Sequence, residues 1–450
     1  MARLVIIGNS AAGLAAVEAI RSRDRRSRVT VIAAERHPPY SRIMLTYLLA
    51  GKTTRDRMLL HEPDWYREMD IQALTGQRAV AIDTQRRHVF TEDSSKGGGT
   101  RRISFDRLLI ATGAIAQRPD VPGMDLRGVF CLRDLDDANA ILKYADEQLP
   151  TRGVPEAVFL GAGPVCLQTL TALSSRGMRV SLVVRSEAIL SQLADADTAL
   201  LAEKVLRAHD IRVHKGVEVY GVESRGRSGQ SAGRLLVNTS QGKPLPADLV
   251  IVGKGTQPNV EVARGTGIAT DVGIVVDEAM ETSVPGVFAA GDVAQATHCV
   301  TGRKVCYGTW TNACEQGRIA GFNMVGGQIH WTGGLNRNVT TLFGNTLGSV
   351  GMIHADAAAS DGRPGAALKR HSDLRRQVSR RLLFSGGRCL GAVVWNACDD
   401  LGVLSWLIIT GRDCTGWEER IARGENVCAD VLGLKQARGP LSFVRIEKTP

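Results

Sequence analysis

One pattern occurs twice in this chain, at Arg3 to Glu35 and again at Ala157 to Arg185, and no other feature narrows the fold as much. Each copy runs from an apolar strand through a glycine turn into a helix-forming stretch and back to a second apolar strand, the order of a βαβ unit. In the first copy Leu4 to Ile7 leads into Gly8-Asn9-Ser10-Ala11-Ala12-Gly13, and Val29 to Ala33 returns as a strand ending near Glu35. Gly8 permits the tight turn, Ser10 is small enough for the backbone to approach a pyrophosphate, and Gly13 lets the helix lie close to its strand. Ala11 and Ala12 open that helix, whose N-terminal amides suit the phosphates. Glu35 is placed to accept hydrogen bonds from ribose hydroxyls.

The second copy, Gly161-Ala162-Gly163-Pro164-Val165-Cys166, keeps two glycines and puts a cysteine where the third would stand. Cysteine is small, so close helix packing survives and Cys166 reads as a packing thiol. The returning strand, Val180 to Val184, ends at Arg185 rather than at an acid. A guanidinium there suits a 2'-phosphate, so NADPH is favoured over NADH.

Composition bounds the rest. A chain of 450 residues with 44% hydrophobic and 23% charged residues suggests about three ordinary globular domains. The most apolar candidate segment, Leu401 to Thr410, is far too short for a membrane span. A strand already at Arg3 to Ile7 leaves no room for a cleavable leader, so a cytoplasmic protein is expected. Nine scattered cysteines, at 131, 166, 299, 306, 314, 389, 398, 414 and 428, then read as free thiols, and their spacing matches neither an iron-sulfur nor a zinc site. No metal is expected. The net charge of +10 favours acidic partners, but the arginine clusters lack interleaved aromatics and any nucleic-acid-binding signature. No nucleic acid is expected either.

Two further segments complete a recognisable order. Leu108-Leu109-Ile110-Ala111-Thr112-Gly113 is an apolar strand ending in a glycine turn, and Thr282 to Val293 is a short strand ending in Gly291-Asp292. With the two glycine turns, these resemble the two-dinucleotide-binding-domain flavoproteins of the pyridine nucleotide-disulfide oxidoreductase family, over the chain to about residue 325. The resemblance implies an α/β fold with two Rossmann-like domains and a small α+β C-terminal interface domain. It places an FAD-binding domain at 1–118 and 247–325, an NAD(P)-binding domain at 119–246 and the interface domain at 326–450. It also implies that FAD is held by Gly8, Ser10, Ala11, Ala12, Gly13, Glu35, Arg42, Thr112, Gly113, Gly291 and Asp292, with Asp292 on the ribityl chain. Gly161, Gly163, Pro164, Val165, Arg185 and Gly253 would hold NAD or NADP.

The stretch Pro39 to Gly51 looks like its counterpart in rubredoxin reductases and in the flavin domain of NADH-dependent nitrite reductases, and Trp310 to Gly327 and Leu342-Phe343-Gly344 fit the same branch. Relatives often carry a lysine at the place of Tyr47 and a glutamate at that of Gln168, paired beside the flavin. Neutral replacement of both avoids an unpaired buried charge, and makes Tyr47 and Gln168 candidate positioning residues. Disulfide- and peroxide-reducing members place a cysteine in the region of Ser41 to Ala50, where this chain has none. The resemblance then implies hydride exchange between nicotinamide and flavin, followed by exchange with an external acidic iron-sulfur carrier, rubredoxin or ferredoxin, or with an iron-sulfur subunit of a larger enzyme. An NAD(P)H oxidase using oxygen directly and a non-catalytic flavin-binding protein are the alternatives.

In the last region Leu347 to His354, Arg381 to Phe384 and Cys389 to Trp395 read as strands, with Ser385-Gly386-Gly387-Arg388 as a hairpin turn. Asp399 or Asp400 is expected to cap a helix running to Thr410 and stopped by Gly411. Such a domain would pack on the nucleotide domains or on a second subunit, as a homodimer or hetero-oligomer. Arg375, Arg376, Arg380 and Arg381 are the candidate docking cations for an acidic partner.

Overall fold

Two five-stranded parallel sheets grow from the two glycine turns. The computed structural model describes residues 1–95, 99–148, 153–225, 234–354, 365–373 and 375–425. In the first sheet Arg3–Ile7 is central, flanked by Arg28–Ala33 and then Ile71–Thr75 on one side, and by Arg107–Ile110 and then Val287–Ala289 on the other. In the second sheet Glu156–Leu160 is central, flanked by Arg179–Val184 and Arg212–Lys215, and by Leu249–Val252 and Val129–Phe130. The central strands are almost wholly buried, which is why they read as continuous apolar runs rather than as alternating ones.

The repetition extends well past the glycine turns. Counted from the strand that leads into its glycine turn, each unit carries between its third and fourth parallel strands a three-stranded antiparallel sheet, Gln77–Asp83, His88–Asp93 and Thr100–Ser104 in the first and Val219–Arg225, Arg234–Thr239 and Leu245–Ala247 in the second. Two short strands leaving the parallel sheets, Ala114–Ala116 and Thr256–Pro258, pair antiparallel and tie the units together. The return to the first unit therefore comes later than residue 247, because Leu249–Val252 belongs to the second sheet.

Small residues set the closest helix contact. The helices Ala11–Arg23 and Trp310–Met324 pack so tightly that a Cβ on Gly317 would lie 2.1 Å from the Ala12 carbonyl oxygen, and one on Gly321 2.5 Å from that of Ala16. This contact locks the segment after Asp292 onto the first glycine turn.

The third unit is a five-stranded antiparallel sheet in the order Arg337–Leu342, Asn345–Gly351, Arg388–Trp395, Val378–Ser385, Ala367–Asp373. Strand alternation divides its core. Leu347, Val393 and Trp395 pack toward the second nucleotide unit, while Val350, Ala392 and Val394 pack with Leu404 and Leu407 of the helix Leu401–Thr410. The hairpin turn is at Gly386 and Gly387, both at positive φ, and the helix stops at Gly411 in the left-handed region. Asp400 is the N-cap residue but makes no side-chain bond to the helix; its carboxylate is taken by Arg380 at 2.6 and 2.8 Å. Cys428 and the remaining C-terminal stretch of the expected interface domain lie outside the described residues. No helix among the described residues is long and apolar enough to cross a membrane.

Candidate functional site

A cavity of about 580 Å3 opens along the C-terminal edge of the first parallel sheet, where ligands sit in open α/β folds. Gly8, Ser10, Ala11, Ala12, Glu35, Arg42, Thr112, Gly113, Gly291 and Asp292 all line it. Gly13, the remaining member of that predicted set, lies beneath the turn, where a Cβ would come within 2.0 Å of the Gly8 carbonyl oxygen. Val165, expected with the second dinucleotide, lines this same cavity. The two glycine motifs therefore converge on one space.

The turn at Gly8 requires glycine twice over. Its φ is +129°, and a Cβ there would meet the Ala111 carbonyl oxygen at 2.1 Å. Ser10 is the N-cap of the helix but makes no side-chain cap bond, so its hydroxyl does not compete for the first-turn amides. Across the cavity the Gly291 amide donates to the Oε1 of the fully buried Gln316 at 2.8 Å, which fixes the approach to Asp292. Thr112 donates to the Asn259 carbonyl at 2.7 Å.

A relay of paired groups rims the space. Tyr40 donates to Glu35 Oε2 at 2.6 Å, and Arg42 donates to Glu35 Oε1. The other guanidinium nitrogen of Arg42 donates to the Arg133 carbonyl at 2.9 Å, and Arg133 in turn pairs with Asp292 at 3.0 Å. Burial, foremost, raises the Tyr40 phenol far above its ordinary range, so it stays a donor. Arg133 was not foreseen. Its partner Asp292 is 159 positions away, and no local pattern announces a pair of that separation.

The second turn repeats the geometry of the first. Gly161 has φ +113°, and a Cβ on it would meet the Gly253 carbonyl oxygen at 2.2 Å, as one on Gly8 would meet Ala111. The substitution of the third glycine is accommodated on the facing strand end: a Cβ on Gly253 would lie 2.6 Å from Cys166 Cβ and 2.7 Å from its sulfur. Cys166 Sγ contacts the Gly161 carbonyl at 2.9 Å, and burial pushes the thiol up to about 12. It is packed and protonated, not nucleophilic. Gly163 is the N-cap and Pro164 the first residue of the helix Pro164–Ser175.

Gln168, Tyr47 and Arg185 do not line the cavity. Gln168 Oε1 accepts from Thr46 Oγ1 at 3.5 Å, so Thr46 rather than Tyr47 stands against it. Tyr47, one step on along the helix Leu45–Leu49, points outward and is 44% exposed. Arg185 is exposed, and its Nε lies 3.0 Å from Glu218 Oε1. The proposed docking cluster is divided. Arg375 and Arg376 are exposed, but Arg380 is 4% exposed and bonded to Asp400, and Arg381 is 10% exposed and paired with Asp195 at 3.1 Å and Asp197 at 2.8 Å. Those two guanidiniums are themselves buried or nearly so and are committed to carboxylates and carbonyls of the fold, which withdraws them from any docking surface.

Sequence reasoning also missed Glu218 and the half-buried Lys254, whose ammonium burial lowers from its usual range. The cavity lining includes no cysteine. Among the described residues no group of three or more His, Cys, Asp or Glu side chains converges as metal ligands would.

Comparison with known proteins agrees with this geometry. The profile of the pyridine nucleotide-disulphide oxidoreductase family matches residues 2–317. The chain is 29% identical over 420 residues to the NADH-dependent phenylglyoxylate dehydrogenase subunit epsilon of Aromatoleum evansii, covering 93% of this chain and 94% of that one. It is 26% identical over 425 residues to the assimilatory nitrate reductase electron transfer subunit of Bacillus subtilis, covering 94% of this chain but only 51% of that relative, so it spans about half the relative's length. Among solved structures, the covalent putidaredoxin reductase-putidaredoxin complex matches with a TM-score of 0.80 at 25% identity, covering 92% of this chain and 94% of that one.

Proposed function

The chain belongs to the pyridine nucleotide-disulphide oxidoreductase family, and from that premise we propose that it relays electrons between a nicotinamide dinucleotide and an external iron-sulfur protein or iron-sulfur subunit. Membership makes it a nicotinamide-dependent flavoprotein oxidoreductase that uses FAD. The residues present fit that cofactor, since the cradle at Gly8 and Ala111 has no room for a Cβ and the opposite wall at Gly291 would hold one only 3.2 Å from Ala12. In this reading the first-turn amides after Ser10 hold the pyrophosphate, Glu35 the adenosine ribose, and Asp292, steadied by Arg133, the ribityl hydroxyls. Bound FAD supplies the conversion between two-electron hydride chemistry and one-electron transfer.

The observation that carries the proposal is Val165. The residue is the second of the helix that follows the second glycine turn and also lines the cavity of the first, which supports a nicotinamide held by the second turn lying against a flavin held by the first. Electrons then need a way out. No cysteine is among the described residues of the lining, which supports an exit other than a dithiol of this chain. The phenylglyoxylate dehydrogenase and nitrate reductase relatives are subunits of larger enzymes, and the putidaredoxin reductase structure holds its carrier; all three support an external partner.

Anaerobic mixing of the FAD-loaded protein with NADH and with NADPH tests the reading. Bleaching of the flavin by at least one nucleotide, followed by re-oxidation on adding a ferredoxin, is the expected result. No bleaching by either overturns it, and rapid aerobic turnover without a carrier moves the assignment to a direct oxidase.

A further inference from the structure

The two units treat the end of their second strand in opposite ways. In the first, the strand Arg28–Ala33 delivers an acid, Glu35, which is fixed by the guanidinium of Arg42. In the second, the strand Arg179–Val184 delivers a cation, Arg185, and the acid comes from elsewhere: Glu218, between Lys215 and Val219, places Oε1 3.0 Å from Arg185 Nε. The same carboxylate–guanidinium pair is formed with the two partners exchanged along the chain. A carboxylate oxygen is therefore present beside the end of that strand although the sequence position that usually supplies one is basic.

We propose that Glu218 recognises the ribose diol of the second dinucleotide and is the specificity-determining residue that sets this chain for NADH over NADPH. The inference rests on the reading that the second glycine turn holds a nicotinamide dinucleotide.

Three observations support it. The backbone of Glu218 is pinned on both sides, its amide donating to Ser240 Oγ at 3.1 Å and its carbonyl accepting the Ser240 amide at 2.9 Å, so the carboxylate is presented from a fixed point. Its side chain is 50% exposed and that of Arg185 79% exposed, so a ligand can reach both. A second carboxylate borders the same loop, because a Cβ on Gly216 would lie 2.6 Å from Glu187 Oε1.

The local charge then decides between the two nucleotides. Arg185 meets Glu218 directly, Glu187 adds a further negative charge, the half-buried Lys254 lies within electrostatic reach of both Arg185 and Glu218 and balances it, and the nearby Lys215 ammonium is already committed to Glu203 at 2.8 Å. A 2'-phosphate, carrying about −1.5 to −2 charges near neutrality, would have to displace Glu218 from Arg185 while lying beside two carboxylates. A 2'-hydroxyl instead donates to Glu218 and leaves the ion pair intact. Arg185 is on this view a positioning residue that holds Glu218, not the phosphate receptor its place in the sequence suggests.

The test compares wild type, Glu218→Gln and Glu218→Asp, all FAD-loaded. Calorimetry measures binding of ADP-ribose and of 2'-phospho-ADP-ribose, and steady-state rates with ferricyanide give KM and kcat for NADH and NADPH. Wild type is expected to bind ADP-ribose about 10-fold or more tighter than its 2'-phosphorylated form. Glu218→Gln, which frees Arg185, should weaken ADP-ribose by about 10-fold and tighten the phosphorylated form, with the change seen in KM. Glu218→Asp should stay on the wild-type side. Tighter wild-type binding of the phosphorylated fragment, or a Glu218→Gln ratio equal to wild type, overturns the inference while leaving the electron-relay reading standing. Failure of both fragments to bind and of both nucleotides to bleach the flavin sinks that reading, and the inference with it.

Discussion

The phenol of Tyr40 donates to Glu35 at 2.6 Å and accepts the Leu135 amide at 2.8 Å, and the ring around it is buried. Leu135 opens the helix Leu135–Gln148, so one hydroxyl links the first dinucleotide unit to the start of the second. Tyr40→Phe keeps the ring but strands a buried amide, at a cost of about 1–3 kcal/mol. Urea unfolding should show that loss, and FAD affinity should fall with it because Glu35 then has Arg42 alone to fix it. A variant as stable as wild type would mean that water replaces the hydroxyl. Residues of this kind divide sharply in what a sequence reveals. Gly8, Gly161 and Glu35 are legible because steric and chemical demands act within a few positions of each. Thr46, the neighbour of Gln168, is not singled out by sequence, because one step on a helix turns a side chain by about 100°, a difference that matching to relatives does not feel. Arg133 and Glu218 were missed because their partners come from distant segments.

At the scale of elements, the first strand is latched at its outer end. The Arg3 amide donates to Asp106 Oδ2 at 2.7 Å and its guanidinium to Oδ1 at 2.7 Å, just before the strand Arg107–Ile110 begins. Hydrogen bonds from the Arg3 side chain and amide, the largest influences, hold the Asp106 carboxyl down to about 2 from 3.8. A depressed folded-state pKa means that the unfolded chain takes up the proton first on acidification. The stabilisation is thus fully present above about pH 5, starts to decline as the unfolded carboxyl titrates near 3.8, and is gone once pH falls through about 2. Asp106→Asn should be less stable than wild type by a constant margin near neutrality, and the margin should close between pH 4 and pH 2. A margin independent of pH down to 2 would show that the amide geometry, not the charge, makes the latch. Element type was readable here because both faces of these strands are buried and their sequences are unbroken apolar runs. The edge strands Arg337–Leu342 and Ala367–Asp373 were not, since half-exposed residues such as those of RNVTTL and ALKRHSD carry no continuous apolar signal.

For the whole molecule, what the repeat could not convey is how the third unit is seated. Its sheet shares an apolar core with the second nucleotide unit through Leu342, Leu347, Val393 and Trp395, and Phe343 stacks on His209 with ring centroids 3.9 Å apart. Arg381 fixes the orientation of that contact. Its guanidinium, 10% exposed, reaches Asp195 and Asp197, and Asp195 is also the N-cap of the helix Ala196–Ala208, accepting the Thr198 amide at 3.0 Å. The clamp therefore joins the third unit to the helix that follows the Arg179–Val184 strand, and leaves the first unit untouched. Arg381→Ala removes a largely buried cation and leaves Asp195, 19% exposed, with its capping bond but without its counter-ion; loss of one partner of a buried pair costs about 3–5 kcal/mol, and less here because Asp197 is 57% exposed. Hydrogen exchange should quicken in residues 337–351 and 196–208, while the strands and turn that line the cavity of the first unit keep their protection and the protein keeps its FAD. If exchange rose equally in the first unit, or the flavin were lost, the three units would be one cooperative body, and the shared apolar core, not the clamp, would be what couples them.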